Sequence, residues 1–280
     1  MDLNKITCVF SKEDEASQTI KKAFVGSKLF SKTNKSFDGN PVYSYKNVFL
    51  IELNEQHLFS DKIESFESDV YLFPGRHSSK QGVLSFTVHS NGNPCGEAKL
   101  GGTPFTLSCC SSLLQKQLFV FLKKEVEKSN SETMVTFEAT HHGPTLSKPA
   151  LFIEIGSSEQ EWFNEGNGKI IFNSIMNALQ SPFPKNQKTA LGFGGTHYCS
   201  EFVKLLGKDI SFSFIFSKYA VSCLNEKVLQ EAIDKTAEKI DFIVIDWKGC
   251  KSAERNKIID FFGEKNIPFH KLQEIKKSNI

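Results

Sequence analysis

Seven histidines punctuate this chain, and five of them share a setting. His77 follows Arg76, His89 closes an apolar run, His141 and His142 are adjacent, and His197 follows the pair Gly194-Gly195. Each lies where a strand-like run gives way to glycine, serine or proline, whereas His57 and His270 have no partner motif. Histidine changes charge near neutral pH and binds metals through its neutral ring, so it serves either as a proton acceptor or as a ligand. Carboxylates accompany the central pair: Glu138 ends the run before Thr140-His141-His142, and Glu154 sits inside the run that follows. A base oriented by a carboxylate is one chemistry open to this set. Zn2+ binding is another, with His141, His142, His197 and Glu154 as candidate ligands. No His-x-x-x-His or Cys-x-x-Cys spacing supports a metal, so such a site would have to be assembled from separated loops.

The run Gly192-Phe193-Gly194-Gly195-Thr196-His197 is neither a GxxxxGK[ST] loop nor a full GxGxxG fingerprint. Paired glycines let backbone N–H groups approach a ligand closely, as donors to an oxyanion or a phosphate. A tight strand-to-helix turn explains them equally well. Gly101-Gly102 has no titratable neighbour to strengthen it. The absence of a Gly-x-Ser-x-Gly elbow argues against a serine hydrolase. Ser157 with Gln160, or Ser158 with Glu161, has instead the spacing of a capping box opening a helix. Nothing near Cys199 argues for an ionised thiol.

The elements that must position these groups follow from periodicity. Strands are expected at Ile6–Phe10, Val42–Tyr45, Val48–Leu53, Asp69–Phe73, Val83–His89, Ala150–Ile155, Thr189–Phe193, Ile210–Phe216 and Phe242–Asp246. Helices are expected over Asp14–Phe24, Ser108–Lys128, Lys169–Leu179, Leu224–Lys239 and Ala253–Phe262, with Lys32–Pro41 as a loop. Strands alternating with helices predict a three-layer α/β architecture. If the sheet is parallel near its centre, its strand ends gather side chains distant in sequence. A single domain over residues 1–280 is expected, its first 70 residues forming a β-rich lobe.

Composition sets outer bounds. The 280 residues are 39% hydrophobic and 24% charged, with a net charge of +2, so no basic coat for nucleic acid is advertised. A protein holding only one end of an RNA remains compatible, because few phosphates then need neutralising. Seven cysteines without paired spacing indicate a reducing compartment and no disulfide framework. No apolar run approaches the ~18 residues of a membrane span, so a soluble cytoplasmic protein is expected. Phenylalanine is abundant, at 26 residues.

Together the motifs become recognisable. Glu138-Ala139-Thr140-His141-His142-Gly143-Pro144-Thr145, then Phe152-Ile153-Glu154-Ile155-Gly156-Ser157 with Trp162, resembles the signature of the archaeal- and plant-type D-aminoacyl-tRNA deacylases. Arg76-His77-Ser78-Ser79, Thr87-Val88-His89 with Gly92-Asn93, Gly194-Gly195-Thr196-His197-Tyr198, Lys218-Tyr219-Ala220 and Asp246-Trp247-Lys248-Gly249 match in the same order across nearly the whole chain. The sequence departs from the pattern at Phe214, where a histidine is expected, and at Thr196, where a proline is.

The resemblance implies hydrolysis of the ester joining a D-amino acid to the tRNA 3′ end, by a zinc-dependent enzyme. It also implies a mixed central sheet flanked by helices, similar to nucleoside phosphorylases and peptidyl-tRNA hydrolases. On that footing His141 or His142 is the general base or a zinc ligand, oriented by Glu154, and His197 contacts substrate or metal. Gly194 and Gly195 offer oxyanion donors, while Arg76, His77 and Lys80 meet the terminal phosphates. His89, Glu138, Thr140 and Tyr198 complete the expected substrate contacts. The partner is the tRNA acceptor end, met by a monomer without a membrane. Peptidyl-tRNA or nucleoside chemistry on the same scaffold, and a non-catalytic tRNA-end binding module, are the competing readings.

Overall fold

The computed structural model describes residues 3–60, 62–79, 82–129 and 133–277. Along the chain run β1 (Ile6–Ser11), α1 (Glu15–Gly26), β2 (Ser31–Phe37), β3 (Asn40–Tyr45), β4 (Val48–Leu53), β5 (Val70–Ser78), β6 (Ser85–Ser90), β7 (Gly92–Asn93), β8 (Thr106–Leu107), α2 (Ser112–Lys128), β9 (Met134–Phe137) and β10 (Ala150–Ser157). There follow α3 (Glu159–Trp162), α4 (Glu165–Gln180), β11 (Lys188–Phe193), α5 (Ser200–Val203), β12 (Ile210–Phe216), α6 (Glu226–Asp234), β13 (Ile240–Ile245), α7 (Ser252–Gly263), β14 (Phe269–Lys271) and α8 (Leu272–Lys277). The chain divides into two compact units. The first comprises Met1–Val88, Leu118–Val135 and Leu146–Pro182; the second comprises His89–Gln117, Thr136–Thr145 and Phe183–Ile280.

The first unit is built on a large mixed sheet of strand order β2-β3-β4-β1-β5-β10-β6-β9, whose strands β6 and β9 carry the chain across the unit boundaries. β1 pairs in parallel with β4 and β5, and β5 with β10, while β2, β3 and β4 form an antiparallel meander. Helices α1 and α4 pack on each other and against β5 and β10, so the α/β arrangement of a mixed sheet flanked by helices is as expected. Asp14 starts α1 by accepting the Ser17 N–H at 2.7 Å, and Asn164 starts α4 by accepting from Gly166 and Asn167. Such caps answer N–H groups that the first helical turn leaves without intrahelical partners.

The phenylalanine excess is a packing device. All but one of the largest fully buried side chains are phenylalanines, and Phe24 alone meets Phe10, Phe30 and Phe172 edge-on at 5.5, 5.4 and 4.8 Å. Each such ring removed from water contributes on the order of 1.5–3 kcal/mol before entropy is counted.

Several expectations need correction. The polar stretch Lys32–Pro41 is no loop: β2 and β3 form a hairpin around Asp38-Gly39, both at positive φ (49° and 75°). Two residues in that conformation match the strand twist, which is why Asp-Gly serves hairpin turns. Arg76 and His77 do not follow a strand but belong to one, since β5 continues its parallel pairing with β10 through Pro74 to Ser78. The capping box does not form: Ser158 makes no side-chain capping bond, and the Ser157 hydroxyl donates to the Val83 carbonyl.

The second unit holds a four-stranded, all-parallel sheet of order β12-β11-β13-β14, a two-stranded ribbon β7-β8, and helices α5 to α8. Cys95 and Cys223, with Cα atoms 5.4 Å apart, are joined by a disulfide across a sequence separation of 128, contrary to the expectation from cysteine spacing. Among the described residues no helix is long and apolar enough to cross a membrane.

Candidate active site

The turn after β9 carries the histidine pair, and backbone hydrogen bonds fix it on all sides. Ala139 N–H donates to the His197 carbonyl (2.7 Å) and Thr140 N–H to the Ile215 carbonyl (2.8 Å), tying the turn to the loop after β11 and to β12. The Thr140 hydroxyl bonds Ser90 Oγ at 2.8 Å and accepts the Ile215 N–H. From β7, Gly92 N–H is shared between the carbonyls of His141 (3.2 Å) and His142 (2.7 Å). Only glycine suits that post: its φ is +149°, and a Cβ would stand 2.6 Å from Leu107 Cα.

Four imidazoles meet as a result. His141 is the hub, with ring centroids 4.3 Å from His142, 4.5 Å from His89 and 4.7 Å from His197; His89 and His142 are 5.0 Å apart. Glu138, whose side chain is fully buried, places Oε2 2.7 Å from His197 Nε2 and 3.7 Å from His141 Nε2. Three rings are anchored through Nδ1 to carbonyl oxygens: His141 to Ala139 (2.8 Å), His142 to Gly143 (2.7 Å) and His89 to Ser90 (3.1 Å). A carbonyl only accepts, so each anchored Nδ1 carries the proton and the neutral ring's lone pair lies on Nε2.

Burial, then repulsion by His142 and His89, holds His141 well below the ordinary imidazole range. Burial beside His89 pushes His142 down to about 3. Both rings are therefore neutral at physiological pH, the form that binds a metal or takes a proton. Access is graded: the side chains of His141 and His197 are 30% and 43% exposed, while His89 and His142 are buried. Potential ligand atoms of His89, His141 and His142 lie within 4.8 Å of one another, as do those of Glu138, His141 and His197. Imidazole nitrogens with one carboxylate are a zinc donor set, and the Nδ1–carbonyl anchors are the outer contacts that orient metal-binding histidines. The residues fit the ion.

The second unit thus brings together His89, Glu138, Thr140, His141, His142 and His197, with Tyr198 5.8 Å from the His197 ring. Gly194 and Gly195 lead into His197 at positive φ (95° and 81°), but the Gly194 N–H donates to the Phe216 carbonyl at 2.8 Å and is engaged in the fold. Phe214, at the histidine position of the resemblance, is completely buried in β12 and stacks on Phe216. Arg76, His77 and Glu154 belong to the first unit. There Arg76 donates to Glu15 Oε2 at 2.6 Å and lies over the Trp162 ring; Glu154 accepts from Thr87 and lies 3.9 Å from His77. Lys80 lies outside the described residues. The carboxylate beside His141 and His197 is therefore Glu138. Its place at the end of β9, directly before the histidine turn, was the available signal.

Comparison with known proteins gives a consistent answer. A family model for D-aminoacyl-tRNA deacylase matches residues 64–270. Proteins of that name from Thermococcus onnurineus and Pyrococcus abyssi are 37% and 36% identical over 254 residues, 88% of this chain and 92% of theirs. One from Methanosarcina barkeri is 34% identical over 292 residues, 98% of this chain and 91% of its own. The crystal structure of a conserved protein of unknown function aligns with a TM-score of 0.89 at 28% identity, covering 98% of both chains.

Proposed function

The chain belongs to the D-aminoacyl-tRNA deacylase family, and we propose from that premise that it hydrolyses the ester linking a D-amino acid to the 3′ end of tRNA. The observation that carries the assignment to a site is the gathering of His89, His141, His142 and His197 around the buried Glu138.

An aminoacyl ester is already activated by its α-ammonium group and the adjacent ribose hydroxyl, so the protein has mainly to position water and stabilise the oxyanion. His197, half exposed, has Nε2 on Glu138 at 2.7 Å, and Nδ1 is the atom to which we assign the proton from the attacking water. Glu138 holds the ring in that tautomer and stabilises the imidazolium that forms. Water oxygen adds to the ester carbonyl; the tetrahedral centre collapses by breaking the bond to the ribose oxygen, which takes up the proton as it leaves. Zinc, which the family resemblance implies, would be held by His89, His141 and His142 and would supply Lewis-acid chemistry. A monomer acting on tRNA in the cytoplasm is the reading in keeping with this substrate.

The test is deacylation of matched D- and L-aminoacyl-tRNA, before and after chelation. Release of the D-amino acid with the L-ester spared is expected, and chelation should slow it, with recovery on adding zinc. An enzyme that leaves both esters intact, or hydrolyses only an N-blocked aminoacyl-tRNA, overturns the proposal.

A further inference from the structure

A second polar concavity of the second unit lies outside the histidine cluster. Residues after β12 and β13 line a cavity of about 480 Å³ whose rim includes Lys218, Tyr219, Ser222, Lys248, Lys251 and Glu254. All three lysines are exposed, and Tyr219, at 70% exposure, is the most exposed large apolar side chain among the described residues. Among those residues none of the three ammonium groups takes part in an ion pair, and the one carboxylate on the rim is engaged, Glu254 Oε2 accepting the Lys251 backbone N–H at 2.7 Å. Like charges on one small rim repel one another, and Lys218 Nζ lies over the Tyr219 ring, 5.1 Å from its centroid, so positive charge and an exposed π-face are presented side by side. A ligand that brings both negative charge and a flat π-face resolves the two together.

The cavity is continuous with the turn that carries His197. Lys218 N–H donates to the Gly195 carbonyl at 2.9 Å. Gly249, on the cavity floor, approaches so closely that a Cβ there would stand 2.6 Å from Gly195 N, and a Cβ on Gly194 would meet Cys250 Sγ at 3.0 Å. His197 follows two residues later. One wall of the cavity is thus the back of the loop that presents a proposed catalytic ring.

We propose that this pocket holds the single-stranded 3′ end of the substrate RNA, with phosphates met by Lys218, Lys248 and Lys251 and one base on the 5′ side of the terminal adenosine stacked on Tyr219. The proposal deepens the deacylase reading and rests on it. It predicts that the lysines govern capture of tRNA while leaving the chemistry to the histidines.

The experiment compares wild type with K218A/K248A/K251A, Y219A and Y219F on two substrates: D-aminoacyl-tRNA, and D-aminoacyl-adenosine, which carries no phosphate. The triple variant should raise KM for the tRNA at least tenfold with kcat near wild type, and flatten the dependence of log KM on log salt by about 2, since a single-stranded phosphate contact contributes roughly 0.7. Y219A should weaken tRNA capture on the order of tenfold, the scale of one lost base stack, and Y219F should restore it. D-aminoacyl-adenosine should be hydrolysed alike by all four proteins. Equal losses on both substrates, or an unchanged KM for tRNA, overturn the pocket. A K218R/K248R/K251R variant retains the charges and should behave as wild type, which separates lost charge from lost folding. Should wild type hydrolyse neither substrate, the deacylase reading fails; filter binding of uncharged tRNA to wild type and the triple variant then still decides the pocket.

Discussion

In the first unit Asp14 Oδ2 lies 3.9 Å from His57 Nδ1; in the second, Glu138 Oε2 lies 2.7 Å from His197 Nε2. Each pair sets a carboxylate beside an imidazole, but their settings differ. Asp14 caps α1 through Ser17 and also accepts the Arg76 N–H at 3.0 Å. His57 bonds the Val9 carbonyl, packs edge-on to Phe73 and Phe152, and is 3% exposed. That pair joins a helix start to a sheet. In the second unit four rings crowd one another while two of them reach solvent. Histidine beside carboxylate does not by itself make a site; mutual proximity with graded access does.

The comparison breaks most visibly under His197→Ala and His141→Ala. His197→Ala should lower deacylation of D-aminoacyl-tRNA by about 10²–10⁴-fold, the usual range for loss of a positioned acid or base, and His141→Ala should weaken zinc binding and slow deacylation with it, both with an unchanged melting curve. Retained turnover in both would put the chemistry elsewhere. Glu138→Gln should be milder, on the order of 10–100-fold in activity or zinc affinity, as for an orienting partner; single-turnover rates and zinc titration read it.

The pair in the first unit should show itself in stability. Burial pushes Asp14 up to about 6, so its stabilising contribution is complete below pH 4 and is lost as pH rises through 6. Burial pushes His57 down to about 4, so its contribution is present above 6.5 and is lost as pH falls through 4. The two act in the same window with opposite sign and about 3 kcal/mol each, so wild-type stability should be nearly flat between pH 4 and 6.5. Asp14→Asn should unmask a rise with pH, and His57→Gln a fall. Denaturant unfolding across that window checks both slopes, and parallel flat profiles would dissolve the assignment. The smallest effect belongs to Arg76→Ala: its partner Glu15 is well exposed, so the loss should stay within about 1 kcal/mol.

What was legible in the sequence was local. The buried apolar run of β1 and the Asp14 that opens α1 speak through neighbouring residues, and so do the paired histidines after β9. β2 stayed hidden because Ser31–Phe37 faces solvent almost throughout and has no apolar period; its signal was the Asp38-Gly39 turn. Pro74 and Gly75 read as the end of a strand, yet the parallel ladder with β10 carries the strand through them. The partnership of Glu138 with His197 spans 59 residues and that of Cys95 with Cys223 spans 128, distances at which spacing is silent. Glu154 stands after the histidine turn in sequence and accepts from Thr87 in the fold, a contact 67 residues away on which spacing is equally silent.

The single amide of Gly92 suspends both histidine carbonyls of the turn. Its hydrogen-exchange rate is therefore a local gauge of whether the imidazoles are assembled, measurable without substrate or turnover. A ligand that settles among those rings should slow exchange at that one N–H, and a variant that loosens the turn should speed it while amides in β1 stay protected.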